Sequence, residues 1–141
     1  MQIDAPVDWS IEMSGLDPQA PLHAELSLES SSGGLFVRGR ATALVIHTCH
    51  RCLHAWSELI EAEVAEMVGG DGDYPMAGDE IDLEAPLRDA MILTLPVLPL
   101  CREDCRGLCS RCGADLNTGS CPGHDEEPDT PFTALRQLLE P

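Results

Sequence analysis

The chain has 141 residues and a mass of 15.2 kDa, room for one ordinary domain or for a modest domain with a small stapled appendage. Eight arginines, with no lysine, face 25 acidic residues, and the resulting net charge of −17 argues against a broad phosphate-binding surface and favours basic protein partners. Apolar residues at 43% exclude wholesale disorder, and five aromatic side chains are too few for a base-stacking platform.

Residues 1–21 hold three prolines and no sustained periodicity, which reads as a mobile or loosely docked arm. They carry acids where a secretory signal carries a basic end, and no later run approaches the roughly eighteen apolar residues of a membrane span, so a cytoplasmic protein is expected. From Leu22 the apolar positions alternate (Leu22, Ala24, Leu26, Leu28), the period of a half-buried strand. Ser30 to Gly34 is turn chemistry, and Leu35 to Cys49 reads as a second strand, making a hairpin. After Cys49-His50-Arg51-Cys52, the run from Leu53 to Val68 fits both a strand and a helix. The strand is favoured because the cysteine pair then forms the turn of a long antiparallel hairpin.

Gly69 to Gly78 is a Gly/Asp-rich loop, and between Glu58 and Asp89 there are eleven acids against Arg88 alone. Asp82 is a candidate N-cap for a helix through Leu95, stopped by Pro96. The fold expected is α+β. A sheet domain over 22–100 with an acidic loop and a short helix is followed by a Cys-rich metal-binding segment over 101–124. An acidic linker and a C-terminal amphipathic helix, with Phe132, Leu135, Leu138 and Leu139 as its stripe, complete the chain over 125–141.

Seven cysteines in a reducing compartment point to metal or redox chemistry, and the odd number leaves one unpaired in any all-disulfide scheme. Cys109-Ser110-Arg111-Cys112-Gly113 has the form of a zinc knuckle, in which two intervening residues let both sulfurs reach one ion and the glycine supplies a positive φ. Cys105 with Cys121 would complete a four-thiol site; Cys121 with His124 would give C-x2-C-x8-C-x2-H; Cys101 is a reserve ligand. The expected metal is a structural Zn²⁺.

Cys49 and Cys52 admit three readings: a second knuckle that meets Cys109 and Cys112 at one ion, a redox dithiol, or two small residues in a turn. Arg51, Arg102, Arg106 and Arg111 stand among these cysteines, where cations favour thiolates and offer a local patch for RNA. There is no phosphate loop, no G-x-S-x-G and no paired-acid arrangement, so no enzyme is expected.

CHRCL at 49–53, EIDLEAPLRDAMILTLPVLPLC at 80–101 and CREDCRGLCSRCGADLN at 101–117, followed by Cys121, together resemble the YceD family of large ribosomal RNA subunit accumulation proteins, over roughly residues 22–141. The resemblance implies a non-enzymatic role in accumulating large-subunit ribosomal RNA and assembling that subunit. The partner would be a precursor particle or a basic ribosomal protein. An RNA-binding zinc module using the four arginines, and a thiol oxidoreductase at Cys49/Cys52, are the alternatives.

Overall fold

The computed structural model describes residues 1–124 except 71, 79 and 122; the expected acidic linker and C-terminal helix at 125–141 lie outside the described residues. Within them the strands are β1 (Gln2–Ala5), β2 (Ser10–Ile11), β3 (Ser14–Leu16), β4 (Leu22–Ser31), β5 (Gly34–Thr48), β6 (Ala55–Val68), β7 (Met76–Ala77) and β8 (Glu80–Ile81), followed by one helix, α1 (Glu84–Thr94).

The organising element is β5. Its odd positions Val37, Ala41, Ala43, Val45 and His47 are buried, and the β-branched and small apolar residues among them suit a strand with one covered face. One edge of β5 pairs with β4 over its first half, from Ser31↔Gly34 to His23↔Thr42, and with β3 over its second, from Leu16↔Val45 to Ser14↔His47. The other edge pairs with β6 along its whole length, from Leu35↔Val68 to Thr48↔Ala55. This long hairpin resolves the strand-or-helix ambiguity of residues 56–68. Ala62, Val64 and Val68 of β6 join the core face, and the acids Glu61 and Glu63 alternate outward.

Residues 1–21, expected as an arm, supply three strands to this sheet. β1 pairs with β4, and β3 bridges β2 and β5. Trp9 (9% exposed) and Leu16 (4%) sit in the core, with Ile3, Val7 and Ile11 packed against it. The strands are only four, two and three residues long, too short for a period of two to emerge from the prolines around them.

The helix closes the covered face, with Leu87, Met91 and Leu95 inserted over β6. The small residues Ala41, Ala43 and Ala62 are buried in the same core. Asp82 serves the helix start differently from an ordinary cap. Its Oδ1 accepts the Glu84 N–H at 2.8 Å, while Leu83 is the boundary residue and makes no side-chain cap. The architecture is therefore mostly antiparallel sheet with one short helix. No helix among the described residues is long and apolar enough to cross a membrane.

Candidate metal centres

Each cysteine pair at a turn is built by the same backbone device. Leu53 N–H donates to the Cys49 carbonyl at 2.9 Å, and Gly113 N–H donates to the Cys109 carbonyl at 2.9 Å. Both acceptor loops end on a residue with positive φ, +72° at Gly113 and +59° at Leu53. This is the geometry in which two cysteines spaced by two residues aim their sulfurs at one point. The first knuckle is the tip of the β5–β6 hairpin; the second is the tip of a short hairpin bridged at Leu108↔Asp115.

A close backbone approach joins the two. Leu108 N–H donates to the Arg51 carbonyl at 3.0 Å, beside Gly107 at φ +75°, where a Cβ would lie 3.0 Å from that carbonyl oxygen. Arg51 Nη1 in turn donates to the Cys105 carbonyl at 3.0 Å, and His50 donates through both its backbone N–H and Nδ1 to the Pro99 carbonyl, each at 3.0 Å. Cys101 and Cys105 are thereby laid over the Cys49 knuckle.

Two four-ligand groups result. Cys49, Cys52, Cys101 and Cys105 form an inner group; Cys109, Cys112, Cys121 and His124 form an outer one; within each, the ligand atoms lie within 4.8 Å of one another. All seven cysteines are free thiols. A tetrahedral shell with Zn–S of about 2.3 Å places sulfurs about 3.8 Å apart. In the inner group Cys49 and Cys105 are 3.8 Å apart and Cys52 and Cys101 3.6 Å; in the outer group Cys112 and Cys121 are 3.8 Å apart and Cys109 and Cys121 3.5 Å. His124 Nε2 lies 3.0 Å from the Cys121 sulfur and 3.3 Å from that of Cys109. Donor types and spacings in both groups fit one thiophilic divalent ion each.

The proton affinities have the pattern of thiols crowded onto a shared point. Burial pushes the Cys49 thiol up, but backbone hydrogen bonds from Cys101, Cys52 and Arg51 outweigh it and bring it down to about 5. Burial and the neighbouring Cys52, Cys49 and Cys105 sulfurs push Cys101 up to about 12. In the outer group, backbone hydrogen bonds at Cys112 and Arg111, with His124 and Cys121, bring Cys109 down to about 6. Cys121 is pushed up despite its backbone bond at Gly123, because burial and the sulfurs of Cys109 and Cys112 oppose a second charge. Cys49 and Cys109 thus carry negative charge readily while Cys52, Cys101 and Cys121 resist it, a pattern that a doubly charged ion would compensate.

The structure divides the cysteines that spacing alone left open. Cys101 and Cys105 go to Cys49 and Cys52, so that pair does not meet Cys109 and Cys112, and Cys121 goes to the outer group with His124. Asn117 went unnoticed in the sequence. Its Nδ2 donates to the Cys105 sulfur at 3.6 Å and its Oδ1 accepts the Arg106 N–H at 2.8 Å, tying the second hairpin to the inner group. Its only signal was the closing L-N of the 101–117 segment. The four arginines beside the cysteines, Arg51, Arg102, Arg106 and Arg111, are exposed; Arg51 is held by the Cys105 carbonyl and Arg102 by Asp104 at 3.3 Å.

Fold and site define a class: an antiparallel sheet whose longest hairpin meets a cysteine-rich hairpin at its tip, with the thiols gathered into groups that could each hold a metal ion. Residues 37–139, a span that includes all eight ligand residues, match the family model of the large ribosomal RNA subunit accumulation protein YceD, and the chain belongs to that family. Uncharacterised proteins of Mycobacterium tuberculosis and Mycobacterium bovis are 34% identical over 155 aligned residues, covering 99% of this chain and 72% of theirs. The chloroplastic large ribosomal RNA subunit accumulation protein YCED homolog 1 of Arabidopsis thaliana is 34% identical over 67 residues, which are 48% of this chain and 21% of that protein. Its Zea mays namesake is 37% identical over 67 residues, 42% of this chain and 23% of that protein. No solved structure matches.

Proposed function

We propose that this chain is a non-enzymatic cytoplasmic factor in the accumulation of large-subunit ribosomal RNA, acting while that subunit is assembled and held in shape by structural zinc. The observation that carries the reading is the family match, which spans the β5–β6 hairpin from Val37 onward, the helix and all eight residues of the two groups. The name of the plant relatives supplies the role. Zinc is favoured because the donors are seven thiols and one imidazole at tetrahedral spacing, a set that suits a metal with no redox chemistry of its own.

The partner is a basic ribosomal protein or a basic part of the precursor particle. With a net charge of −17, such an encounter is fast and weakened by salt. The Cys49–Cys52 pair sits at a hairpin turn between two strands, with its sulfurs among two further thiols, which favours metal over a redox dithiol at a helix N-terminus.

Sedimentation of the tagged chain through a sucrose gradient tests the role. Co-migration with large-subunit precursors is expected, and a chain confined to the free fraction, with no ribosomal protein attached, would defeat it. Replacing Arg51, Arg102, Arg106 and Arg111 separates the routes of contact. Unchanged particle binding supports protein contacts, and loss of RNA crosslinking with the fold intact supports an RNA patch.

A further inference from the structure

The two ligand groups share a hairpin but not an environment. Each group has two half-buried cysteines, Cys52 and Cys101 in the inner and Cys109 and Cys121 in the outer, but the inner group's other two, Cys49 (0% exposed) and Cys105 (3%), are buried, whereas the outer group's Cys112 and His124 are exposed. The inner group is enclosed by long-range bonds: Arg51 to the Cys105 carbonyl, Leu108 N–H to the Arg51 carbonyl, His50 to Pro99, and Asn117 Nδ2 to the Cys105 sulfur. The outer group's backbone bonds run inside its own hairpin, Cys109 N–H to the Ala114 carbonyl at 2.8 Å and Gly113 N–H to the Cys109 carbonyl. Partners around a ligand shell typically change metal retention by about tenfold to a hundredfold, and thiolate oxidation follows exposure.

We propose that the Cys109/Cys112/Cys121/His124 group is a separate, releasable zinc site that a hydroperoxide opens, while the four-cysteine group is a permanent joint. The proposal rests on the zinc reading above. Cys109 and Cys121, whose sulfurs lie 3.5 Å apart against 3.8 Å for Cys112 and Cys121, supply the two electrons. The peroxide O–O bond breaks and a Cys109–Cys121 disulfide forms. With hydrogen peroxide, two protons complete two waters and a third restores the Cys112 thiol. The zinc ion leaves for solvent with no change in its charge, and His124 is left neutral. A thiol reductant and zinc restore the site. The second hairpin then stays pinned at its base by the inner group and loses its tip.

The test uses the full, zinc-loaded chain. Elemental analysis should give two zinc ions per chain. Hydrogen peroxide, with a chromogenic chelator as reporter, should release one of them at least about tenfold faster than the other. Peptide mapping should then find Cys109 joined to Cys121, with Cys49, Cys52, Cys101 and Cys105 still able to react with an alkylating agent once the protein is unfolded and stripped of metal. His124→Ala, on an exposed loop, should bind one zinc, lack the fast phase and keep the sheet's circular dichroism; Cys112→Ser should do the same. Release of both ions in one phase, a first disulfide among the inner four cysteines, or loss of both ions in His124→Ala would overturn the proposal. A chain with one zinc overturns it and spares the zinc reading; a folded chain with none overturns both.

Discussion

Leu53 and Gly113 hold the same place in two knuckles, yet only one is a glycine. A leucine held at φ +59° costs about 1–2 kcal/mol, and glycine at the same place costs about 0.5–1 kcal/mol of unfolded-state entropy. With its side chain 60% exposed, Leu53 has little packing to lose. Leu53→Gly is therefore expected to leave stability unchanged or raise it by up to about 1 kcal/mol in urea unfolding, and a clear loss would show that the side chain packs more than its exposure implies. Tyr74, the chain's single tyrosine, is a second residue whose setting can be read directly. Burial, with a 3.1 Å hydrogen bond donated to Asp89 Oδ2, pushes its hydroxyl up to about 12 from an ordinary 10. The folded state thus holds the proton more tightly than the unfolded one. The stabilisation, no more than about 2 kcal/mol, is complete below pH 10 and disappears as pH rises toward 12. Ultraviolet titration of tyrosinate should place the transition near 12, and Asp89→Asn should lower it; a native transition near 10 would refute the contact.

At the scale of elements, C-x2-C spacing made both knuckles legible because it is a local property, set by bonds across four residues. Their pairing was not legible, because it depends on where the β5–β6 hairpin ends and on one backbone contact far along the chain. The hairpin tip at Cys49 reaches Cys101 and Cys105 because the helix, packed over β6, returns the chain to that end of the sheet at Pro99. Gly107 then allows the second hairpin to lie against Arg51. A side chain there meets both a positive φ and the 3.0 Å approach to the Arg51 carbonyl. Gly107→Ala should cost about 1–3 kcal/mol and loosen zinc retention at the inner group before the sheet is affected. Competition with a chelator, read alongside far-ultraviolet circular dichroism, separates the two effects. Retention unchanged from the parent chain would mean the hairpin is held without this contact.

For the whole molecule, composition described the average and hid the division. Glu61 and Glu63 of β6 point outward from the covered face of the sheet, while arginines 51, 102, 106 and 111 lie where the sulfurs gather. The same division separates what holds the molecule together. The hydrophobic cluster of Leu22, Val37, Val45, Val68, Leu87, Met91 and their neighbours contains no cysteine, so the sheet owes most of its burial to apolar contact, with Ser14 and His47 buried as a hydrogen-bonded polar pair. The hairpin over 101–117 instead buries little besides Cys105 and Gly107, so under the zinc reading its order would rest on bound metal. Zinc binding in small peptides amounts to about 10–16 kcal/mol, as large as the roughly 5–15 kcal/mol of a whole domain, so metal decides whether such a segment folds. Exhaustive chelation is therefore expected to release the amides of Leu53, Leu108 and Gly113 to hydrogen exchange, because their acceptors sit on the knuckles. Amides in the β4–β5 and β5–β6 ladders should stay protected, since their partners lie in strands packed on the helix. If protection collapses along β5 and β6 together with the knuckles, the sheet is not independent of its metals, and the inner centre is part of the core rather than a joint fastened to its end.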